Sequence, residues 1–204
     1  MLENEWASIE DFATLFKYFW YRDFPMDAKK AVGAGRVDWT IHIGVVVRKI
    51  ADFMGLVTRF EEGGRKDAIL KSTDGHEIAI EWEWNGVWRA NELKKLREHA
   101  LKPDGKEKLK YAVLITYTHP KNIQRVYGHV KKEWEGAQWP LLLILIDLDE
   151  MTKSKFKMRK EFNNIQMSIF HKGEKVERTQ LHSTPAFPWK VAGTTWSYRL
   201  NDEK

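Results

Sequence analysis

Three carboxylates in one short stretch carry the chemistry this chain could do. In residues 65–84, RKDAILKSTDGHEIAIEWEW, Asp67 opens an apolar strand, a tight turn follows, and a second apolar strand ends in Glu81 and Glu83. Isoleucine and tryptophan flank Glu81 and Glu83, and Ile69 lies two residues from Asp67. A carboxylate taken out of water among such neighbours is costly unless it is paired or holds a cation. An all-oxygen donor set of this kind suits a hard divalent cation, Mg2+ or Mn2+ with several retained waters. Asp67, Glu81 and Glu83 are therefore both the expected metal ligands and the expected catalytic residues of a metal-dependent phosphodiesterase.

Whether the acids meet depends on the turn. Alternate residues of a strand share a face, so Glu77, Ala79, Glu81 and Glu83 point one way. Ile78, Ile80, Trp82 and Trp84 point the other way, toward the core. A two-residue loop at Asp74-Gly75 would set Asp67 opposite Trp82, facing the core. A three-residue loop, Thr73-Asp74-Gly75, would set it opposite Glu81, with Gly75 in the left-handed conformation that closes such a loop. Directly opposed side chains lie about 4.5–5.5 Å apart at Cβ, close enough to share one cation. The same register puts Lys71 opposite Glu77 and Arg65 opposite Glu83. The competing reading is accordingly a cross-strand charge ladder on a solvated face.

The elements that position these residues follow from periodicity and turn signals. Apolar spacing predicts a helix over 5–21, with Ser8 or Asp11 near its start, and a loop over 22–37. A second helix is expected over 39–54, with Asp38 as N-cap and Gly55 as its stop. Strands are expected at 56–61, 66–71 and 77–84, then a helix at 88–101, a buried strand at 110–117, a helix at 121–134 and a buried strand at 140–147. Hairpins feeding a strand–helix–strand crossover give an α/β fold, a mixed sheet with helices on its faces. Residues 1–37 read as an N-terminal helix and loop packed on a core at 38–150. Residues 151–204 read as a basic, aromatic extension containing a strand-like run at 164–170.

Composition narrows the class. The 204 residues include no cysteine, which excludes disulfides, thiolate metal sites and cysteine nucleophiles. The formal net charge of +5 suits a polyanionic partner, though charge alone fits equally a protein that binds no nucleic acid. The acidic N-terminus lacks the pattern of a signal peptide, and no apolar run is long enough for a membrane span. A soluble, cytoplasmic protein is expected.

The order helix, three strands, helix, strand, with Asp67 opening the second strand and Glu81-Trp82-Glu83 ending the third, resembles the PD-(D/E)XK (restriction-endonuclease-like) nuclease superfamily. The resemblance covers about residues 38–147. Lys66 stands where that family often has proline, and Glu83 replaces its usual lysine, giving a D…E-x-E variant. The resemblance implies a Mg2+- or Mn2+-dependent DNA nuclease that hydrolyses phosphodiester bonds with a metal-activated water, Glu83 serving as proton acceptor through a water. Lysine migration onto the following helix is a known variation. Here the helical wheel turns both Lys94 and Lys95 away from the inward face of Leu93, Leu96 and Ala100, while Arg89, Glu92 and Arg97 border it. Asp38 and His42 are one turn apart and could point at the metal; the plainer expectation is an N-cap and a surface residue. The basic run 152–160 is the first candidate for phosphate contacts, and tail aromatics such as Trp189, Trp196 and Tyr198 could stack on bases. Paired cuts on duplex DNA would imply a homodimer. The alternative is a catalytically inactive member of the same fold that binds nucleic acid or a protein partner.

Overall fold

Helix α1 (Leu2–Arg22) carries Ile9, Phe12, Phe16 and Trp20 at helical spacing, all fully buried. It begins earlier than its caps suggest: Ser8 and Asp11 lie within it, and the Ser8 hydroxyl faces the Tyr111 hydroxyl at 3.4 Å. The structure, a computed structural model, describes residues 2–24, 26–27, 32–33, 36–61, 66–83, 91–101, 109–150, 160–176, 181–188 and 191. Two short strands pair antiparallel after α1, β1 (Met26–Asp27) and β2 (Val32–Gly33), where a plain loop was expected.

Helix α2 (Arg36–Phe53) starts before Asp38, which therefore sits in its first turn instead of capping it. Its end matches the sequence signal. Gly55 has φ +70°, and the Leu56 N–H donates to the Ala51 carbonyl at 2.8 Å, the six-to-one bond of a Schellman stop.

Strands β3 (Val57–Phe60), β4 (Ala68–Lys71) and β5 (Glu77–Glu83) form an antiparallel meander. Helix α3 (Glu92–Leu101) then leads to β6 (Leu109–Thr118), and a 3-10 turn (Pro120–Asn122) with helix α4 (Ile123–Glu133) leads to β7 (Leu141–Glu150). Both crossovers return the chain parallel, as strand–helix–strand units must. The strand-like run of the C-terminal region becomes β8 (Lys160–His171), antiparallel to β7. Its far edge carries β9 (Glu174–Val176) and β10 (Thr184–Pro185). The sheet order is β10-β8-β7-β6-β5-β4-β3, so β3 is an edge.

The fold is thus mixed α/β, with a mixed sheet flanked by helices. One face is covered by α1 and α2, packed on Ile78, Ile80, Val113 and Ile144. The other is covered by α3 and α4, with Leu93, Leu96, Val126 and Trp134 packed on Ala79, Ala112, Leu114 and Leu143. The central strands β6 and β7 are apolar on both faces for this reason. No helix among the described residues is long and apolar enough to cross a membrane.

Candidate functional site

The hairpin between β4 and β5 takes the three-residue form. The Ser72 N–H donates to the His76 carbonyl at 2.9 Å, the Gly75 N–H donates to Ser72 at 3.1 Å, and Gly75 has φ +86°. A side chain there would find open space but a strained backbone, so conformation and not crowding calls for glycine. The ladder runs Lys71 opposite Glu77, Leu70 opposite Ile78 and Ala68 opposite Ile80. One step further brings Asp67 opposite Glu81. Both acids therefore lie on the face covered by α3 and α4, the arrangement that the longer loop requires.

Their environments differ. Asp67 is half-buried, and its Oδ2 accepts the Trp82 N–H at 2.7 Å. Burial raises the Asp67 carboxyl above its ordinary value, against the lowering effect of that bond. Glu81 is fully buried, no N–H or hydroxyl group bonds its carboxyl oxygens, and the groups beside them are the carboxyls of Glu92 and Asp67. Burial, then the neighbouring carboxyls of Glu92 and Asp67, push Glu81 up to about 9, with the Lys95 ammonium pulling weakly the other way. A buried carboxyl crowded by other carboxyls holds a proton at neutral pH unless a stronger cation displaces it.

Helix α3 supplies the rest of the cluster. Leu93 and Leu96 bury its inward side, and Glu92, on the same side, is 9% exposed. The Lys95 Nζ lies 2.6 Å from Glu92 Oε2 and 3.8 Å from Glu81 Oε2. This corrects the helical-wheel expectation. The Cα of Lys95 flanks the inward face, but its long flexible stem carries the ammonium back over the carboxylates. Lys94 behaves as expected, pointing to solvent beside Glu98 at 3.8 Å. Burial alone would lower Lys95, but the bond to Glu92 and the charges of Glu81, Glu92 and Asp67 outweigh it and hold Lys95 above the ordinary lysine value. It stays an ammonium.

Glu83 lies on the same face, half-buried, with its carbonyl accepting the Thr116 hydroxyl at 3.1 Å. The strongest charged neighbours of Glu81 are nonetheless Glu92, Asp67 and Lys95. Among the described residues no three His, Asp or Glu side chains converge at metal-coordination spacing. Mg2+ can be held by one or two carboxylates with water completing its shell, so the Asp67–Glu81 pair meets the minimum.

The charge-ladder reading holds at the end that lies within the described residues. Glu77 is bonded by Lys71 Nζ at 3.4 Å and by His99 Nε2 at 3.0 Å. Arg65 and the basic residues at 152–159 lie outside the described residues, as do Trp84, Arg89, Trp189, Trp196 and Tyr198; Lys160 opens β8. Arg97 donates to the Glu133 carbonyl at 2.8 Å and ties α3 to α4.

His42 is not a surface residue. It is 3% exposed, against the rings of Trp20 at 4.8 Å, Trp39 at 5.9 Å and Phe24 at 6.1 Å. Burial lowers it to about 4, leaving it neutral. It belongs to the core on the α1–α2 face, across the sheet from Glu81. Asp38 is exposed on α2 and, like His42, takes no part in the cluster.

Sequence reasoning thus set Asp67 opposite Glu81, as the register does, and passed over Glu92 and Lys95 as their neighbours. The signal was their spacing with His99: positions 92, 95 or 96 and 99 form one helical stripe, and a stripe of Glu, Lys and His beside Leu93 and Leu96 marks a polar patch on a buried face. No protein-family model matches the chain, and no curated protein matches its sequence.

Proposed function

We propose that the chain is a metal-dependent nuclease of the PD-(D/E)XK type, with Asp67 and Glu81 as ligands to a Mg2+ or Mn2+ ion and DNA as the substrate class. One observation carries this reading: a fully buried Glu81 carboxyl that no N–H or hydroxyl group bonds, packed against the carboxyls of Asp67 and Glu92 beneath a lysine. Native structures rarely leave a buried carboxyl in that state without a use for it.

When bound, the cation supplies positive charge against the charge that develops on a phosphodiester. Asp67 is oriented for this by the Trp82 N–H, and Glu81 is held rigid in mid-sheet. Lys95, kept charged by Glu92, is suited to donate a hydrogen bond to a phosphate oxygen and not to act as a base. It supplies from α3 the cation that the E-x-E sequence lacks on β5. The proton acceptor is then a carboxylate, Glu83 or Glu92, acting through a water.

The test is cleavage of supercoiled, linear and branched DNA with Mg2+ or Mn2+ against EDTA. Wild type should cut only with the ion, and Glu81→Ala should lose cutting while keeping salt-sensitive DNA binding. A second reading, an inactive member of the same fold that binds nucleic acid or a protein partner, has one observation in its favour: among the described residues no three His, Asp or Glu side chains converge at metal-coordination spacing. DNA binding without cleavage of any DNA or RNA form would favour it.

A further inference from the structure

Four of the large apolar side chains exposed on the described surface lie on one side of the molecule. Val37, Ile41 and Val45 are 70%, 60% and 39% exposed along α2, and Phe60 is 43% exposed on the edge strand β3. Between the outer face of α2 and Phe60 runs a groove of about 460 Å3. The three helix residues recur at intervals of four and so form one stripe, on the side opposite the buried Ile43, Val46 and Ile50. An apolar stripe left in water on a helix already anchored by its other side is the mark of a contact surface.

Two further features specify the occupant. Gly44 sits mid-helix in this stripe, where a Cβ would meet nothing within 4 Å. Its φ is not left-handed, so neither crowding nor backbone conformation inside the monomer calls for glycine, which weakens a helix interior. A glycine between Ile41 and Val45 lets a second helix approach closely. The charges on the stripe are also ordered: Asp38 lies one turn before Gly44's neighbours and Arg48 one turn after, both exposed.

We propose that two copies of this chain pair through α2, antiparallel across a twofold axis near Gly44. In that arrangement Ile41 of one copy packs on Val45 of the other, and Asp38 lies beside Arg48 of the other. Symmetry makes each contact twice. The sequence of the stripe, acid–apolar–glycine–apolar–base, is complementary to itself only when reversed. A parallel pairing would set Asp38 on Asp38 and Arg48 on Arg48. Antiparallel helix dipoles favour the same choice. Phe60 at the groove's far wall extends the contact toward the roughly 800 Å2 per partner of a stable interface. The pairing does not depend on the nuclease reading, since α2 covers the opposite sheet face from Glu81.

Sedimentation velocity on the full chain, up to about 100 μM, should show a dimer, a concentration well above a micromolar Kd. Gly44→Phe and Ile41→Glu should each weaken it by about 30-fold or more, with unchanged circular dichroism, because both positions open to solvent. Asp38→Arg and Arg48→Asp should each weaken the dimer, and the double variant should restore it. A wild type that stays monomeric throughout overturns the proposal, leaving the face to a different partner. So does a dimer indifferent to Gly44→Phe and Ile41→Glu, or a double charge variant no better than its parents.

Discussion

Glu77 and Glu81 stand four residues apart on one strand, on the same sheet face, under the same helix. Glu77 is bonded by Lys71 and His99 and pins the C-terminal end of α3 to the sheet. Glu81 is more deeply buried, and its nearest cation, Lys95, stands at 3.8 Å and is bonded to Glu92 instead. A third acid, Asp147 on β7, is as buried as Glu81 but accepts from the Asn164 N–H at 3.0 Å and from Gln166 Nε2 at 3.1 Å. The fold therefore satisfies buried acids where they serve structure. It leaves Glu81 with carboxyl neighbours and no N–H donor at the C-terminal end of a parallel strand, where α/β sheets place their ligands.

That contrast breaks most sharply under matched substitutions. Glu81→Gln should abolish ion-dependent cleavage, by about 10²–10³-fold or more, since it removes a transition-state charge contact. Without metal at pH 8 it should leave the fold as stable as wild type or more so. Glu77→Gln should do the reverse: cleavage largely retained, stability to urea lowered by about 1–3 kcal/mol, because His99 loses a buried partner. If both variants lower stability alike and neither alters cleavage, the two acids are equivalent and the contrast fails.

The next effect is on pH. The raised Glu81 carboxyl makes the metal-free folded state hold a proton that the unfolded chain releases. Its contribution is full below about pH 4.5 and is lost as pH rises toward about 9, by up to about 1.4 kcal/mol per unit. His42 has the opposite sign. Lowered from 6.5 to about 4, it contributes fully above pH 6.5 and its contribution is lost as pH falls to about 4. Metal-free urea midpoints should decline above about pH 6.5, where only the Glu81 slope remains, and Glu81→Gln should remove that decline. A decline unchanged in Glu81→Gln would assign it elsewhere. Lys95→Met should have the smallest effect, about 10–100-fold on cleavage with little change in stability, since its ammonium is one-third exposed.

Much of this was legible in the chain because it rests on local rules. Gly75 after Asp74 selects the longer turn, the turn sets the register, and the register brings Asp67 to Glu81. The element order followed in the same way from apolar spacing and from Gly55. Lys95 was misread because a helical wheel assigns a direction to Cα, while a lysine stem reaches several ångströms beyond it. His42 was misread because Trp20 and Phe24, two of the rings that bury it, come from α1 and just beyond its end, which no local pattern joins to α2. The orphaned state of Glu81 was equally invisible: it depends on where α3 docks, a matter of tertiary packing.

The central claim is that Asp67 and Glu81 hold a divalent cation, and calorimetric titration of Mn2+ into the metal-free protein tests it most directly. Wild type and Glu77→Gln should bind one ion site with similar affinity, while Glu81→Gln should lose it. No binding by wild type at millimolar Mn2+, or equal binding by Glu81→Gln, would contradict it.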